Sequence, residues 1–454
     1  MMTNDSAQQE KFRRLTEEPV EKLVRELSVP TIISMLITAF YNMADTFFVG
    51  RINNSATGAV GVAFSLMAII QACGFFFGHG SGNYISRQLG LQNGEEASKM
   101  AATGFFSSFF AGILITVFGL IFLDPLARLL GSTDTILPYA KDYMRYILIG
   151  APFMTSSLVL NNQLRFQGSP YFGMIGITSG ALLNVILDPI FIFGFDFGVS
   201  GAAIATVVSQ IVGFFILLAM SFRGGNIRIS FRLFRPSAAH FKEILLIGGP
   251  SFLRQGLASL STLSLNFMAG GYGDAAVAAM SVVGRIMFFV VAALIGYGQG
   301  FQPVCGFNFG AGRYDRIIRA FWYCVWTSFI VLVVISVGGF IGAPWLMSVF
   351  RDDPEVISIG YKALRWQFIT FPLSSWIVLS NMMTQTLRMP IRAMFLSIAR
   401  QGLFFIPLVL ILPRFWGLAG IQIAQPIADI FTFICSIPMQ LSALKMLKKE
   451  QKKI

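Results

Sequence analysis

Twenty-two acidic residues are distributed over the 454-residue chain, nearly all in polar stretches. Three are not. Asp45, Asp188 and Asp429 fall inside long apolar runs, where an ionised carboxylate costs about 2.5–3.5 kcal/mol at the centre of a membrane helix. Something must offset that cost. Asp188 lies in Asn184-Val-Ile-Leu-Asp188-Pro189, and this spacing puts the Asn184 amide and the carboxylate on one helix face. Pro189 has no N–H to give to the carbonyl of Val185, which frees an oxygen at the same turn. A carboxylate, an amide oxygen and a loose carbonyl are hard ligands for a small cation, and they suit an exchangeable proton equally. Asp45 supplies a second carboxylate if its helix packs against the one bearing Asp188. The plainer alternative for both is an acid near a helix end, held by a hydroxyl or reaching to the interface. Asp429 has Gln425 and Thr432 on its own helix face, and these can satisfy it locally.

Such residues must be held by membrane helices. Hydrophobic residues make up 55% of the chain and charged residues 12%, about half the charged share of soluble domains. A water-soluble surface cannot be covered that way. The apolar residues come in blocks such as Ile113 to Leu123 and Phe329 to Ile341, many approaching the roughly 20 residues that cross a bilayer. They lack the alternation of barrel strands, so the spans are expected to be helical. The fold class is therefore an all-α integral membrane protein. The net charge of +12 does not point to nucleic acid, because Lys and Arg gather in particular loops and at the tail (Lys445, Lys448, Lys449, Lys452, Lys453). That pattern suits anionic lipid at a cytoplasmic surface. Cys73, Cys305, Cys324 and Cys435 show no CxxC spacing and read as free thiols. Only His79 and His240 are present, which argues against zinc or haem. The first 26 residues lack the apolar core of a cleavable signal and read as a cytoplasmic lead-in.

The chain carries an internal repeat. At an offset of 220 positions Pro30 falls on Pro250, Gly50 on Gly270, Ala56 on Ala276, Gly78 on Gly298, Gly80 on Gly300 and Gly90 on Gly310. Further on, Pro152 matches Pro372, Pro170 matches Pro390 and Met174 matches Met394; with a one-residue slip, Gly198-Val-Ser-Gly201 meets Gly417-Leu-Ala-Gly420. Twelve spans are expected, over 28–50, 57–84, 98–123, 135–158, 170–194 and 200–222, then 243–270, 277–300, 317–342, 355–380, 392–413 and 418–444. This divides the chain into a cytoplasmic N-terminal segment (1–27), an N-lobe (28–222), a basic linker (223–242), a C-lobe (243–444) and a basic tail (445–454). Six spans per half make the repeats parallel, an arrangement in which transporters bind substrate between the halves near the midplane. The basic segments follow even-numbered spans, so both termini are expected in the cytoplasm.

Other polar positions are less informative. Asn161-Asn162-Gln163 lines a cavity or marks a membrane boundary, and Gln299, Gln302 and Asn308 read as helix-end groups or ligands. Gly78-His-Gly80-Ser-Gly82 follows no strand, so it reads as close helix packing rather than a nucleotide loop. Methionines such as Met280, Met287, Met382 and Met383 are core or lipid-facing, and a minority can form the adaptable wall of a promiscuous site. No Walker A motif, Ser-His-Asp set or metal cluster is present. The chain therefore reads as no enzyme, and uphill transport would draw on an ion gradient.

Through Tyr41-Asn-Met-Ala-Asp45-Thr-Phe-Phe-Val-Gly50, Asn184-Val-Ile-Leu-Asp188-Pro-Ile-Phe-Ile, Gly198-Val-Ser-Gly-Ala-Ala-Ile-Ala-Thr206 and Gly298-Gln-Gly-Phe-Gln-Pro-Val-Cys-Gly-Phe-Asn-Phe-Gly310, the sequence resembles the MATE (multidrug and toxic compound extrusion) family, in its DinF-like and MepA-like branch. The resemblance covers nearly the whole chain. It implies two six-helix lobes related by a pseudo-twofold axis, forming a V around a central cavity. The implied activity is export of cationic or amphipathic drugs in exchange for H⁺ or Na⁺, with no other cofactor. It also implies a monomer in a bacterial cytoplasmic membrane, with lipid but no nucleic acid as partner. The family's N-lobe cation site would map onto Asp45, Asn184, Asp188 and Thr206, with a helix bend at Pro30. Tyr143, Asn161, Met287 and Gln299 are further cavity candidates. Acids that some members carry on the seventh and tenth helices are replaced by apolar residues around Ala258 and Ile377, which favours coupling in the N-lobe. The repeat agrees, since Asp45 falls on Leu265 and Asp188 on Leu408. The alternative is a lipid-linked oligosaccharide flippase of the same superfamily. Its anionic substrate would call for cations facing the cavity, and the candidates Arg254, Arg285 and Arg400 each read as lying near a helix end.

Overall fold

Without water to pair with, backbone groups in hydrocarbon close their hydrogen bonds within the helix, and the chain accordingly folds into helices. The structure is a computed structural model and describes residues 4–49, 51–52 and 54–453. Gly50, a landmark of the repeat, lies outside the described residues, as do the ends of the N-terminal segment and of the tail. An N-terminal helix α1 (Asn4–Glu17) leads into α2 (Val20–Val49), α3 (Asn54–Gly90) and α4 (Gly94–Ile121). The short α5 (Leu123–Leu129) precedes α6 (Leu137–Phe166), α7 (Pro170–Pro189) and α8 (Gly198–Ser221). The second half repeats this with α9 (Ala238–Gly270), α10 (Asp274–Gly310), α11 (Tyr314–Ile341) and the short α12 (Ala343–Phe350). Its tenth span is α13 (Pro354–Thr370) and α14 (Ser374–Thr386), joined by a 3₁₀ turn at Phe371–Leu373 that contains Pro372. Next come α15 (Pro390–Ile398), a π-helical segment Ala399–Phe405, α16 (Ile406–Ile411) and α17 (Pro413–Trp416), and the chain ends in α18 (Leu418–Gln451).

Among the described residues ten helices are long and apolar enough to cross a membrane. The more polar α9 and the interrupted α13–α14 complete twelve spans in two sets of six. Several helices outrun the apolar stretches expected from sequence: α2 starts at Val20 and α18 runs to Gln451, so the basic tail is mostly the end of a helix. The short helices α5 and α12 were not anticipated, yet they begin 220 positions apart, in register with the repeat.

The two halves meet along α2, α3, α9 and α10, where small residues let backbones approach. A Cβ added to Gly80 would sit 2.9 Å from the Ile244 Cα, and one on Gly296 would sit 2.6 Å from the Ile32 Cα. Gly90 and Gly310, equivalent under the repeat, touch each other: a Cβ on Gly90 would lie 3.0 Å from the Gly310 Cα. Ser86 likewise packs on its equivalent, Gly306. Residues that meet their own counterparts lie on the pseudo-twofold axis, which therefore passes between α3 and α10 at the end bearing both termini.

That end is closed. Arg87 of α3 donates to Glu243 of α9 at 3.1 Å and to the Thr386 carbonyl at 3.2 Å, and Arg388 pairs with the other Glu243 oxygen. Helix α1 lies across the closure: Asn308 of α10 donates to the Leu15 carbonyl at 3.0 Å, and Lys11 donates to Asn226 of the linker at 2.5 Å. At the opposite end a cavity of about 530 Å³ separates the halves, with Asn42, Val60 and Phe64 on one wall and Leu265, Arg285 and Phe288 on the other. The molecule is thus a V whose apex is the end carrying the termini.

Candidate functional site

Within the first half, α2 packs on α7 and α7 on α8, and this brings Asp45, Asn184, Asp188 and Thr206 together. All four are buried; Asp45 is 3% exposed and Asp188 fully enclosed. The Asn184 amide donates to Asp188 Oδ1 at 3.2 Å and lies 3.3 Å from Thr206 Oγ1. The amide nitrogen is thereby committed, leaving Asn184 Oδ1 free to face the cluster. Asp45 Oδ1, Asp188 Oδ2 and Asn184 Oδ1 have no hydrogen-bond partner among the described residues. Tyr143, also fully buried, faces Asp45 and Thr206 without meeting hydrogen-bond geometry. Tyr41, one turn before Asp45, faces Gln210, one turn after Thr206, and both carboxylates. A spacing of four from Asp45 and from Thr206 is the sequence signal for these two.

The geometry suits a proton or a small cation. Two carboxylates in this setting repel when both are ionised, and the remaining ligands are neutral oxygens. The local backbone contributes: after Pro189 the helix widens into a π turn over Ile190–Gly194, a deviation common at functional sites. Helix α2 runs unbroken through Pro30, where Ser34 donates to the Pro30 carbonyl at 2.8 Å.

A cavity of about 110 Å³ adjoins this cluster and is lined by Asn184, Thr206, Tyr41, Asn161 and Gln299, among others. Met287 is elsewhere, in a cavity of about 430 Å³ on the second half together with Ala258, Ile377, Arg254 and Asp429. Asp429 differs from the sequence expectation. Gln425 does donate to it at 2.9 Å, but Thr432 bonds the Ala428 carbonyl instead. The principal partner is Arg400, which grips both carboxylate oxygens at 2.7 and 3.3 Å. Arg400 sits in the π segment, in mid-span rather than near a helix end, and Arg254 lies in the middle of α9. Under the repeat with its one-residue slip, Gln425 falls on Thr206 and Asp429 on Gln210. The second lobe therefore holds a neutralised ion pair where the first has a neutral hydroxyl and amide beside two acids.

A cluster of buried oxygens beside a cleft between pseudosymmetric six-helix lobes defines a multi-pass membrane transporter. The chain belongs to the MatE family, whose profile matches it twice, over residues 30–190 and 250–411, in step with the repeat. It is similar to the multidrug export protein MepA of Staphylococcus aureus strain MSSA476, with 28% identity over 418 residues that cover 91% of this chain and 92% of that protein. Among solved structures, it superposes on an outward-facing multidrug resistance MATE family transporter of the MOP superfamily (TM-score 0.90, 26% identity, 96% of this chain and 98% of that one). It also superposes on a MOP superfamily transporter from Pyrococcus furiosus with a binding pocket of reverse polarity (TM-score 0.90, 26% identity, 96% and 98%).

Proposed function

We propose that the protein is a secondary antiporter that exports amphipathic or cationic drugs and other xenobiotics in exchange for H⁺ or Na⁺, coupled in the N-lobe. One observation carries this reading: two carboxylates buried in a membrane-spanning lobe, each keeping an oxygen without a hydrogen-bond partner among the described residues. Loading a proton or Na⁺ neutralises the pair, and releasing it restores a charge that must be solvated or matched. The N-lobe cavity adjoins the site, with Asn184 and Thr206 in both, so the ion's occupancy changes the polarity of the wall that a substrate meets. Met-rich and Phe-rich surfaces of the larger cleft suit varied apolar bodies.

Both termini and the closed apex face the cytoplasm in this reading, and the V opens outward from a bacterial cytoplasmic membrane. The lobes comprise residues 28–222 and 243–444, joined by the basic linker 223–242. The protein acts as a monomer, carries out no covalent chemistry and needs no cofactor other than the coupling ion. Rocking of one lobe against the other about the glycine-lined seam exposes the cleft alternately. The test is efflux of a fluorescent lipophilic cation from proteoliposomes under imposed proton or sodium gradients. Gradient-driven efflux that disappears in Asp188→Asn is the expected result; the same rate and ion dependence in wild type and variant would overturn the coupling assignment.

A further inference from the structure

Two turns that are equivalent under the repeat are built from different residues. After α6, Gly168 takes a left-handed conformation (φ 76°), and its neighbour Ser169 donates to the Leu164 carbonyl at 3.0 Å. Arg388, 220 positions later, closes α14 in the same manner: its φ is 58°, and the Met389 N–H bonds the Thr384 carbonyl at 2.9 Å. Glycine is the residue that such a cap favours, and a large side chain there is strained. Something must hold the arginine in place. Its guanidinium pairs with one oxygen of Glu243.

Glu243 is buried at the apex, and its two oxygens have separate partners. One takes Arg388 of its own lobe; the other takes Arg87 of α3, across the seam, at 3.1 Å. These two bonds are not equivalent when the apex parts. Helix α9 is tied to α14 by Gln385, which donates to the Ile247 carbonyl at 2.6 Å and to Ser251 at 2.8 Å. Glu243 and Arg388 therefore travel together. Toward the first lobe α9 is held by Arg87, by the His240–Glu96 contact at 2.7 Å and by glycine contacts such as Gly248 on Phe76, all of which separation breaks. Arg87 loses the Thr386 carbonyl as well and keeps the Tyr84 ring of its own helix, 5.8 Å away.

We propose that Arg388 is a positioning residue for opening of the apex: it stays on Glu243 when Arg87 withdraws, so the carboxylate passes from two guanidinium groups to one and is never left without a counter-charge. A carboxylate stripped of its last partner in a partly buried seam carries a desolvation cost. Arg388 therefore matters more in the open state, where it is that last partner. Arg87 does the reverse, since its bonds to Glu243 and Thr386 exist only in the closed state. An interaction shifts an equilibrium only by the difference it makes between the two states, so the two arginines bias one equilibrium in opposite directions. The inference rests on the alternating-access reading for the motion itself and adds which residues set its balance.

Accessibility from the side bearing the termini reads that balance. Ser86 is fully buried against Gly306 in the closed apex, so a thiol introduced by Ser86→Cys reacts only while the apex is open, at a rate proportional to the open population. Sealed vesicles with the termini outside are treated with a membrane-impermeant maleimide, and peptide mass spectrometry separates this site from the four native cysteines. Arg87→Gln is expected to speed labelling about tenfold and Arg388→Gln to slow it about tenfold, a shift of about 1.4 kcal/mol each way. Arg388→Lys keeps the charge and should label at the parent rate. Arg388→Gly relieves the backbone but removes the cation, and should be as slow as Arg388→Gln. A residue that merely caps α14 would loosen the apex when changed. Labelling of Arg388→Gln at or above the parent rate, in protein that keeps its thermal transition, would therefore overturn the proposal. Opposite shifts in the two variants, together with no gradient-driven efflux, would leave the proposal standing while the antiport reading fails. No labelling in any variant, Arg87→Gln included, would show that the apex stays shut and would sink both.

Discussion

Asp45 and Asp188 have to be considered together, because each keeps an oxygen without a hydrogen-bond partner and, among the described residues, neither is paired with a cation. If they form one ion-loading unit, Asp188→Asn and Asp45→Asn should each reduce gradient-driven efflux to the passive leak. Changing both together should cost little beyond either alone, since residues that act as a unit are not additive. Efflux from proteoliposomes at matched protein content measures this, and additive losses would refute a shared site. Asp429 belongs to a different class. It holds Arg400 by both oxygens, so Asp429→Asn strands a largely buried guanidinium. Breaking a buried pair from one side costs about 3–5 kcal/mol, so the melting temperature in detergent should fall clearly. Combining it with Arg400→Gln should recover part of the loss; a single variant as stable as wild type would show that the pair contributes nothing. The Asp45 and Asp188 candidates were legible because a carboxylate inside an apolar run is conspicuous in any sequence. Arg400 as the partner of Asp429 was not, since those two residues lie 29 positions apart on different elements.

At the level of helices, hydropathy located the spans but not their ends. Glu21, Lys22, Arg25 and Glu26 interrupt the apolar run before Ser28, yet α2 includes them all, because a helix does not stop where hydrocarbon does. The π turns at Ile190–Gly194 and Ala399–Phe405 and the short helices α5 and α12 had no counterpart in the sequence reading. Their geometry depends on what packs around them rather than on a residue type. The glycine repeats were more informative, since a glycine kept at the same place in both halves reads as a close backbone approach. Gly310 is one: a Cβ there collides with the Arg87 carbonyl. Gly310→Val should therefore hold the apex ajar. Spin labels at positions 91 and 313, measured by double electron–electron resonance, should show a longer and broader distance distribution than the parent pair. An unchanged distribution would mean that the seam yields elsewhere and does not set closure.

For the molecule as a whole, the apex must part if the cleft is to open toward the termini, and α1 spans that seam. Its Lys11 is largely removed from water, and desolvation, with Arg14 nearby, lowers its ammonium from an ordinary value near 10.5 to about 7. Free of the apex, the side chain returns to that ordinary value. Between about pH 7 and 10.5 the released state therefore binds more protons, so docking of α1 strengthens as pH rises through this window. Below about 7 Lys11 is charged in both states and the full desolvation penalty persists. A spin label at position 9 should be more mobile at pH 7 than at pH 9, and Lys11→Met should flatten that difference. Mobility that increases with pH would reverse the assigned sign. Such a dependence would couple the apex to the pH on the side that bears the termini, independently of the buried carboxylates.

Gly90 meeting Gly310, and Ser86 meeting Gly306, has a consequence for origin as well as for mechanism. A contact between symmetry mates is self-complementary, so a polypeptide of only six spans could have built the same apex by pairing with a second copy of itself. That homodimer would have carried two identical polar clusters, one in each copy. Fusing the copies through residues 223–242 removed the obligation to match. One half could then keep Asp45 and Asp188 while the other placed Leu265 and Leu408 at the same positions.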